Sequence, residues 1–410
     1  VKMTKQISFL HAADLHLDSP FRGLADTPDP IFQEILESTF VALDRLVQTA
    51  LDKEVDFVLM AGDLFDNEKQ SLKAQVRLRR AFEQLQRHNI QVYLSYGNHD
   101  YINGNIHPVT YPDNVHIFPD EKVRQFTYVK ADGTEAAIYG FSYENRGVLT
   151  NKTDEYEVIN SSIPFHIAML HGSIKSNTEH DVYAPFQLSD LTKGNFDYWA
   201  LGHIHQREML KEDPPIVYPG NIQGRNRKET GEKGCYHIVL TETDKEMSFI
   251  PLQAIQFHSL TINISACEEP HQVENNIQFR MKEIISTTPM LIDLTLTSDN
   301  PQIQESESGN YLEDVIELVN ETFIHQMNWN FIFRYSIETH FSAHDTDLVK
   351  GEHFIGELFR HAEDVSIPSY VKELYQQKQA RKYLDPLTQE EEQSIKTEAQ
   401  QLLLNALLKD

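Results

Sequence analysis

Val58-Leu59-Met60-Ala61-Gly62-Asp63-Leu64-Phe65-Asp66 is the stretch on which the fold turns. Its unbroken apolar run suits a strand covered on both faces, as in sheets flanked by helices. Gly62 permits a sharp turn and a close approach of the backbone to whatever lies beyond. Asp63 is thereby delivered at the C-terminal edge of a sheet, where open α/β folds gather functional groups. Taken alone, the plainer reading is a turn aspartate that satisfies loop amides. The neighbouring segments decide between the two.

Upstream, Ile7–Ala12 reads as a strand that runs into Asp14-Leu15-His16. Residues two apart in an extended segment point the same way, so Asp14 and His16 can reach one point. A carboxylate beside an imidazole suits a divalent metal. His11, inside the strand, reads as a hydrogen-bonded core histidine. Pro30 opens a helical pattern with Ile31, Ile35, Leu36, Leu43, Leu46, Val47 and Leu51 on one side. Proline in the first turn is a helix-start signal. This helix joins the two strands into a β-α-β unit, so a parallel sheet is expected.

Downstream, a helix over Ser71–His88 precedes a third strand, Val92–Ser95, which ends in Gly97-Asn98-His99-Asp100. Asn98 offers an amide oxygen and His99 an acid/base imidazole. Asp100 offers a carboxylate to orient that imidazole. Val123–Lys130 and Ala136–Gly140 flank Asp132-Gly133, a hairpin signal. Phe165–Leu170 ends in His171-Gly172, and Tyr198–Leu201 ends in Gly202-His203-Ile204-His205. Ile216–Pro219, Tyr236–Thr241 and Met247–Leu252 read as late antiparallel strands. Five strand ends thus supply Asp14, His16, Asp63, Asn98, His171, His203 and His205. These are seven O and N donors with no thiolate, a set suited to two divalent cations such as Mn²⁺, Fe²⁺ or Zn²⁺.

Composition narrows the class. The chain has 410 residues, 40% apolar and 24% charged, enough for two or three globular domains. Its two cysteines, Cys235 and Cys267, make no disulfide framework or thiolate metal site. The first apolar run is too short for a signal-peptide core, and no window reaches membrane-span length. A soluble, unexported, cytoplasmic protein is expected. The formal charge is −26. Residues 257–410 hold 26 acids and 11 bases. Such a chain is a poor generic nucleic-acid binder, so a nucleic-acid substrate needs local bases, bound cations or a partner.

The five motifs, in that order, resemble those of the calcineurin-like metallophosphoesterases. Gly-Asp-Leu-Phe-Asp with Gly-His-Ile-His is similar to the SbcD nuclease branch. Phe9-Leu10-His11-Ala12-Ala13-Asp14-Leu15-His16-Leu17-Asp18-Ser19-Pro20-Phe21 resembles the YhaO-type DNA-repair exonucleases within it. The resemblance implies an α/β fold: a β-sandwich flanked by helices over residues 1–255, an α+β capping domain over 256–385 and an amphipathic helical tail over 386–410. It also implies that Asp14, His16, Asp63 and His205 bind one metal, and Asp63, Asn98, His171 and His203 the other, Mn²⁺ foremost. His99 then serves the leaving oxygen, with Asp100 beside it and Asp66 behind the ligands. The implied activity is 3′→5′ DNA exonuclease with some endonuclease cleavage, assisted by an SbcC-like coiled-coil ATPase onto which the tail docks. The early helices offer a surface for a homodimer. Arg225, Arg227 and Lys228 are candidate DNA contacts. Asp18 and Tyr101 depart from the branch pattern near the cleft. The alternatives are a phosphatase or nucleotide phosphodiesterase on the same site and, with all seven ligand positions filled, less favourably a scaffold that has lost catalysis.

Overall fold

The computed structural model describes residues 5–24, 26–66, 70–104, 109–175, 183–298 and 311–339. Within 356–400 it describes shorter stretches, of which 365–377 is continuous. His340, His344, His353 and much of the expected tail lie outside the described residues.

Strand β1 (Gln6–Ala12) is followed by helix α1 (Asp29–Asp52), β2 (Phe57–Ala61), α2 (Leu72–Arg87), β3 (Gln91–Ser95) and β4 (Val115–Ile117). The expected helices agree with α1 and α2 to within a residue or so at each end. Pro30 lies in the first turn of α1, and Ser71 caps α2 by accepting from Ala74 N at 3.0 Å. β1, β2, β3 and β4 are mutually parallel, as the β-α-β reading requires. Two late strands, β11 (Gly234–Thr241) and β12 (Lys245–Pro251), extend the sheet antiparallel beyond β1.

A second six-stranded sheet is built from β5 (Arg124–Val129), β6 (Glu135–Gly140), β7 (Phe165–His171), β8 (Tyr198–Gly202), β9 (Glu208–Glu212) and β10 (Pro215–Tyr218), in the order β5-β6-β7-β8-β10-β9. A short helix, α3 (Leu188–Leu191), lies between β7 and β8. β10 was read above as antiparallel, and the structure corrects this. It runs parallel to β8 and antiparallel to β9. The chain goes out to the sheet edge as β9 and returns as β10 between β9 and β8. β9 is Glu-Met-Leu-Lys-Glu, and a charged edge strand of this kind carries little apolar signal.

The sheets stack face to face. Phe9, Phe57, Leu59 and Tyr93 of one interdigitate with Ile138, Ile167, Met169 and Tyr198 of the other. Helices α1 and α2 cover the outer face of the first sheet through Phe40, Leu43, Leu46, Leu78 and Phe82. Because β1–β3 and β7–β8 meet at their C-terminal ends, five strand ends open on one rim.

A smaller unit follows: β13 (Gln256–Asn263), α4 (Pro270–Glu283), β14 (Met290–Ser298), α5 (Tyr311–Phe323) and β15 (Asn330–Thr339). Its three strands are parallel, with β14 in the middle and a core of its own around Ile262, Ile277, Leu294 and Val319. Phe257, Leu291, Trp329 and Phe331 pack it against Phe21, Leu24, Ile31 and Ile35. Trp329 Nε1 also donates to Glu34 Oε2 at 2.9 Å.

Candidate metal centre

Each donor is aimed by the backbone that follows its strand. Beyond β1 and β2 the loops run side by side: Asp14 N donates to Gly62 O at 3.1 Å and His16 N to Asp63 O at 3.0 Å. Gly62 adopts φ +85°, and a Cβ there would lie 2.3 Å from His171 Nδ1, so the glycine read as a turn is also a close approach. Asp14, His16, Asp63 and His203 themselves lie at positive φ (51°, 43°, 52° and 100°). Such backbone costs of order 1–3 kcal/mol per residue and persists where the surrounding structure imposes it.

All seven predicted donors converge, together with His99. They form two groups, Asp14/His16/His205 and Asp63/His171/His203. Within each, the candidate ligand atoms lie within 4.8 Å of one another. Asn98 joins the second group, with Oδ1 3.0 Å from His171 Nε2 and 3.1 Å from His203 Nδ1. Asp63 Oδ2 faces both groups, at 3.9 Å from His16 Nε2 and 3.5 Å from His171 Nε2. His16 Nε2 and His205 Nε2 approach to 3.0 Å. That is about the separation of two cis ligands each about 2.1 Å from a shared ion. His16 Nδ1 is buried with no hydrogen-bond partner among the described residues. The donor set fits a pair of borderline divalent cations: carboxylate, amide and imidazole, buried except for the half-buried His203 and His205, with ligand atoms gathered at two points.

Burial and neighbouring charges pull the donors in different directions. Burial pushes the Asp14 carboxyl up, against the nearby His205 and His171. Burial works the same way on Asp63, but the His171 imidazole, helped by His16 and His99, holds it well below the usual carboxylate range. Burial lowers His171, yet Asp63 and Asp14 outweigh it and raise the ring to about 9. Burial, with Arg225 and His205, drives His16 well below its ordinary value. Burial and His171 take His203 to about 3. Neutral imidazole is the ligand form.

The support behind the donors was partly invisible in the sequence. His171 Nδ1 pairs with Ala61 O at 2.9 Å, and His205 Nδ1 with Glu229 Oε1 at 2.8 Å. Asp14 accepts from His203 N at 3.0 and 3.1 Å. The expected orienting role of Asp100 is corrected. Its oxygens accept from Gly97 N at 2.7 Å and Leu64 N at 2.6 Å, tying the β3 loop to the β2 loop. The His99 ring is held instead at Nδ1 by Asp66 O, 2.8 Å away, and its amide donates to Asp63 Oδ1 at 2.9 Å. Burial and Asp63 raise Asp100 to about 7. Arg225 pairs with the Asp66 carboxylate, and Arg227 Nη1 lies 3.4 Å from Asp293 Oδ2. Both guanidiniums expected to meet DNA are thus committed to carboxylates. His11 is the core histidine expected, bonded to Tyr198 Oη at 2.9 Å and Leu201 O at 3.0 Å. Asp18 sits in the turn after β1 at φ 63°. Glu229, the carboxylate most closely engaged with the donors, lies in Arg225-Asn226-Arg227-Lys228-Glu229, where only the preceding Pro219-Gly220-Asn221 marks a loop.

A sandwich whose parallel strands bring two imidazole–carboxylate groups to one rim, with Asp63 facing both, is the architecture of a metallophosphoesterase. The chain belongs to the calcineurin-like phosphoesterases. That family's profile matches residues 7–207. The chain is 36% identical over 408 residues to the metallophosphoesterase YhaO of Bacillus subtilis, itself described as uncharacterized, covering 99% of both chains. It is 26% identical over 283 residues to the DNA double-strand break repair protein Mre11 of Methanocaldococcus jannaschii, covering 66% of this chain and 73% of that one. The Mre11 of Thermoplasma acidophilum is likewise 26% identical, over 286 residues, covering 67% and 73%. The protein is accordingly a phosphoesterase by family. Among the described residues no helix is long and apolar enough to cross a membrane.

Proposed function

We propose that the protein is a two-metal DNA phosphodiesterase of the SbcD branch, a 3′→5′ exonuclease with some endonuclease cleavage. The observation that carries this reading is the position of Asp63 Oδ2, which faces both donor groups at once. Asp14, His16, Asp63 and His205 would hold one ion, and Asp63, Asn98, His171 and His203 the other. Mn²⁺ is the preferred occupant, with Fe²⁺ or Zn²⁺ as alternatives. Such a pair supplies, when bound, a nucleophile at neutral pH and charge to offset the developing phosphorane.

The chain's own residues do the rest. Asp63 takes the His99 amide on Oδ1 and keeps Oδ2 for the centre. His99 donates Nδ1–H to the Asp66 carbonyl, and in the imidazolium form its Nε2–H can pass a proton to the departing oxygen. Asp100 is a positioning residue, holding the two loops that carry Asp63 and Asn98. DNA as substrate is supported by the two Mre11 relatives, whose description is double-strand break repair. The unit built on β13–β15 would cap the cleft as part of a domain over 256–385. The tail over 386–410 would dock on an SbcC-like ATPase, and α1 and α2 would offer a homodimer surface.

The test is cleavage of 3′- and 5′-labelled duplex by purified protein with Mn²⁺, beside turnover of a nitrophenyl phosphodiester. His99→Ala should lower DNA cleavage by about 10²–10⁴-fold with metal content retained. Unchanged cleavage would sink the role of His99. Turnover of the small ester without any cleavage of DNA would turn the reading to a small-substrate phosphodiesterase.

A further inference from the structure

Behind the donors lies a charged bracket that joins Asp66 to the late loop over 221–229. Glu229 closes the loop over 221–229 on itself, with Oε2 accepting from Arg225 N and Asn221 Nδ2, both at 2.7 Å. Its other oxygen faces His205 Nδ1. Arg225 reaches across from this loop to the Asp66 carboxylate, and its Nη2 lies 3.9 Å from Glu229 Oε1. Asp66 in turn carries the carbonyl that holds His99 Nδ1. The side chains of Arg225, Asp66 and Glu229 are only 16%, 13% and 10% exposed, so this is not a solvated surface pair.

We propose that Glu229 and Arg225 are positioning residues that set His205 and His99 in one fixed relation across the rim. The inference rests on the two-metal reading above. Glu229 Oε1, at 2.8 Å, lies closer to His205 Nδ1 than Arg225 Nη2 does at 3.3 Å, so it takes the Nδ1–H and selects the tautomer whose Nε2 lone pair faces His16. Arg225 places its charge between two carboxylates that would otherwise repel each other, and so holds the Asp66 segment, with the carbonyl under His99, against the 221–229 loop. One end of the bracket acts on a ligand and the other on the proton donor. The two residues should therefore fail differently.

The experiment is calorimetric titration of the full chain with Mn²⁺, together with steady-state kinetics on a dinucleoside phosphodiester, whose alkoxide leaving group needs a proton. Glu229→Ala should weaken one of two Mn²⁺ binding events about 10–100-fold and leave the other near wild type. Glu229→Gln keeps an acceptor but loses the charge, and should fall between wild type and Glu229→Ala at that same event. It also carries the test should the alanine variant not fold. Arg225→Ala should keep both binding events and lower kcat about 10–100-fold at unchanged KM, as a displaced proton donor does. Arg225→Lys should recover part of that loss. Two binding events that match wild type in both Glu229 variants would overturn the proposal, as would Arg225→Ala acting on KM alone. A wild-type chain that binds a single Mn²⁺ defeats the two-metal reading itself. A chain that binds two and spares DNA defeats only the substrate, and leaves the bracket standing.

Discussion

His171 and His205 each turn one ring nitrogen into the centre and anchor the other, but the anchors differ in kind. His171 is the last residue of β7, and its Nδ1 meets a backbone carbonyl at the end of β2. His205 lies beyond β8, and its Nδ1 meets the side chain of Glu229 in a loop that is held shut by side chains. The Asp63/Asn98/His171/His203 half is thereby tied to the sandwich itself. The Asp14/His16/His205 half depends in addition on charges brought in from a loop over 20 residues further along the chain. A backbone anchor cannot be deleted by changing its own side chain, whereas a carboxylate anchor can, so the halves should respond to different substitutions.

The largest effect is expected where bulk is added to the strand-anchored half. A Cβ at Gly97 would lie 2.3 Å from Asp63 Oδ1 and 2.7 Å from His171 Nε2. Gly97→Ala should displace both donors, remove at least one Mn²⁺ binding event and lower turnover by about 10²-fold or more. Wild-type stoichiometry in this variant, read by calorimetry, would break the distinction between the halves. It would also contrast with Glu229→Ala, which should spare the strand-anchored half.

A middle-sized effect separates the centre from the sheet beneath it. His11 is buried in β1 and neutral, its pKa lowered from 6.5 to about 3 by burial, which outweighs the bond to Leu201 O. The unfolded chain takes up this proton below about pH 6.5 and the folded chain does not until about pH 3. Stability from this group is therefore full above 6.5 and falls as pH drops towards 3, by about 2 kcal/mol between pH 7 and 5. Denaturant unfolding should show that slope in the wild type and lose it in His11→Gln. Equal slopes would mean that the ring is not held neutral.

The smallest effect is expected farthest from the rim. Asp293 on β14 pairs with Arg227 at 3.4 Å and Arg334 at 3.0 Å, and both guanidiniums are about one-third exposed. Asp293→Asn should cost about 1 kcal/mol or less and leave Mn²⁺ affinity unchanged. A large change in affinity would instead extend the loop-anchored half into the smaller unit.

Much of the centre was legible because its signals are local. Apolar runs that stop at Gly62, Gly97, Gly172 or Gly202 beside Asp, Asn or His need no knowledge of distant contacts. The i, i+2 spacing of Asp14 with His16 and of His203 with His205 states a shared direction. The fold class followed from the same runs, since β-α-β order implies parallel strands. β9 escaped because edge strands are charged, and the direction of β10 escaped because a strand's sequence does not record which way it runs.

The chain alone determined which residue types stand at its strand ends and hence the chemistry available there. Only the tertiary structure decided that ends up to 191 positions apart share one rim, that Asp63 faces both groups, that Asp66 rather than Asp100 holds the His99 ring, and that Glu229 holds His205. Local sequence encodes backbone shape over a few residues. Which carboxylate reaches which ring depends on how two sheets stack and where a late loop folds back, and both follow from packing summed over the whole chain.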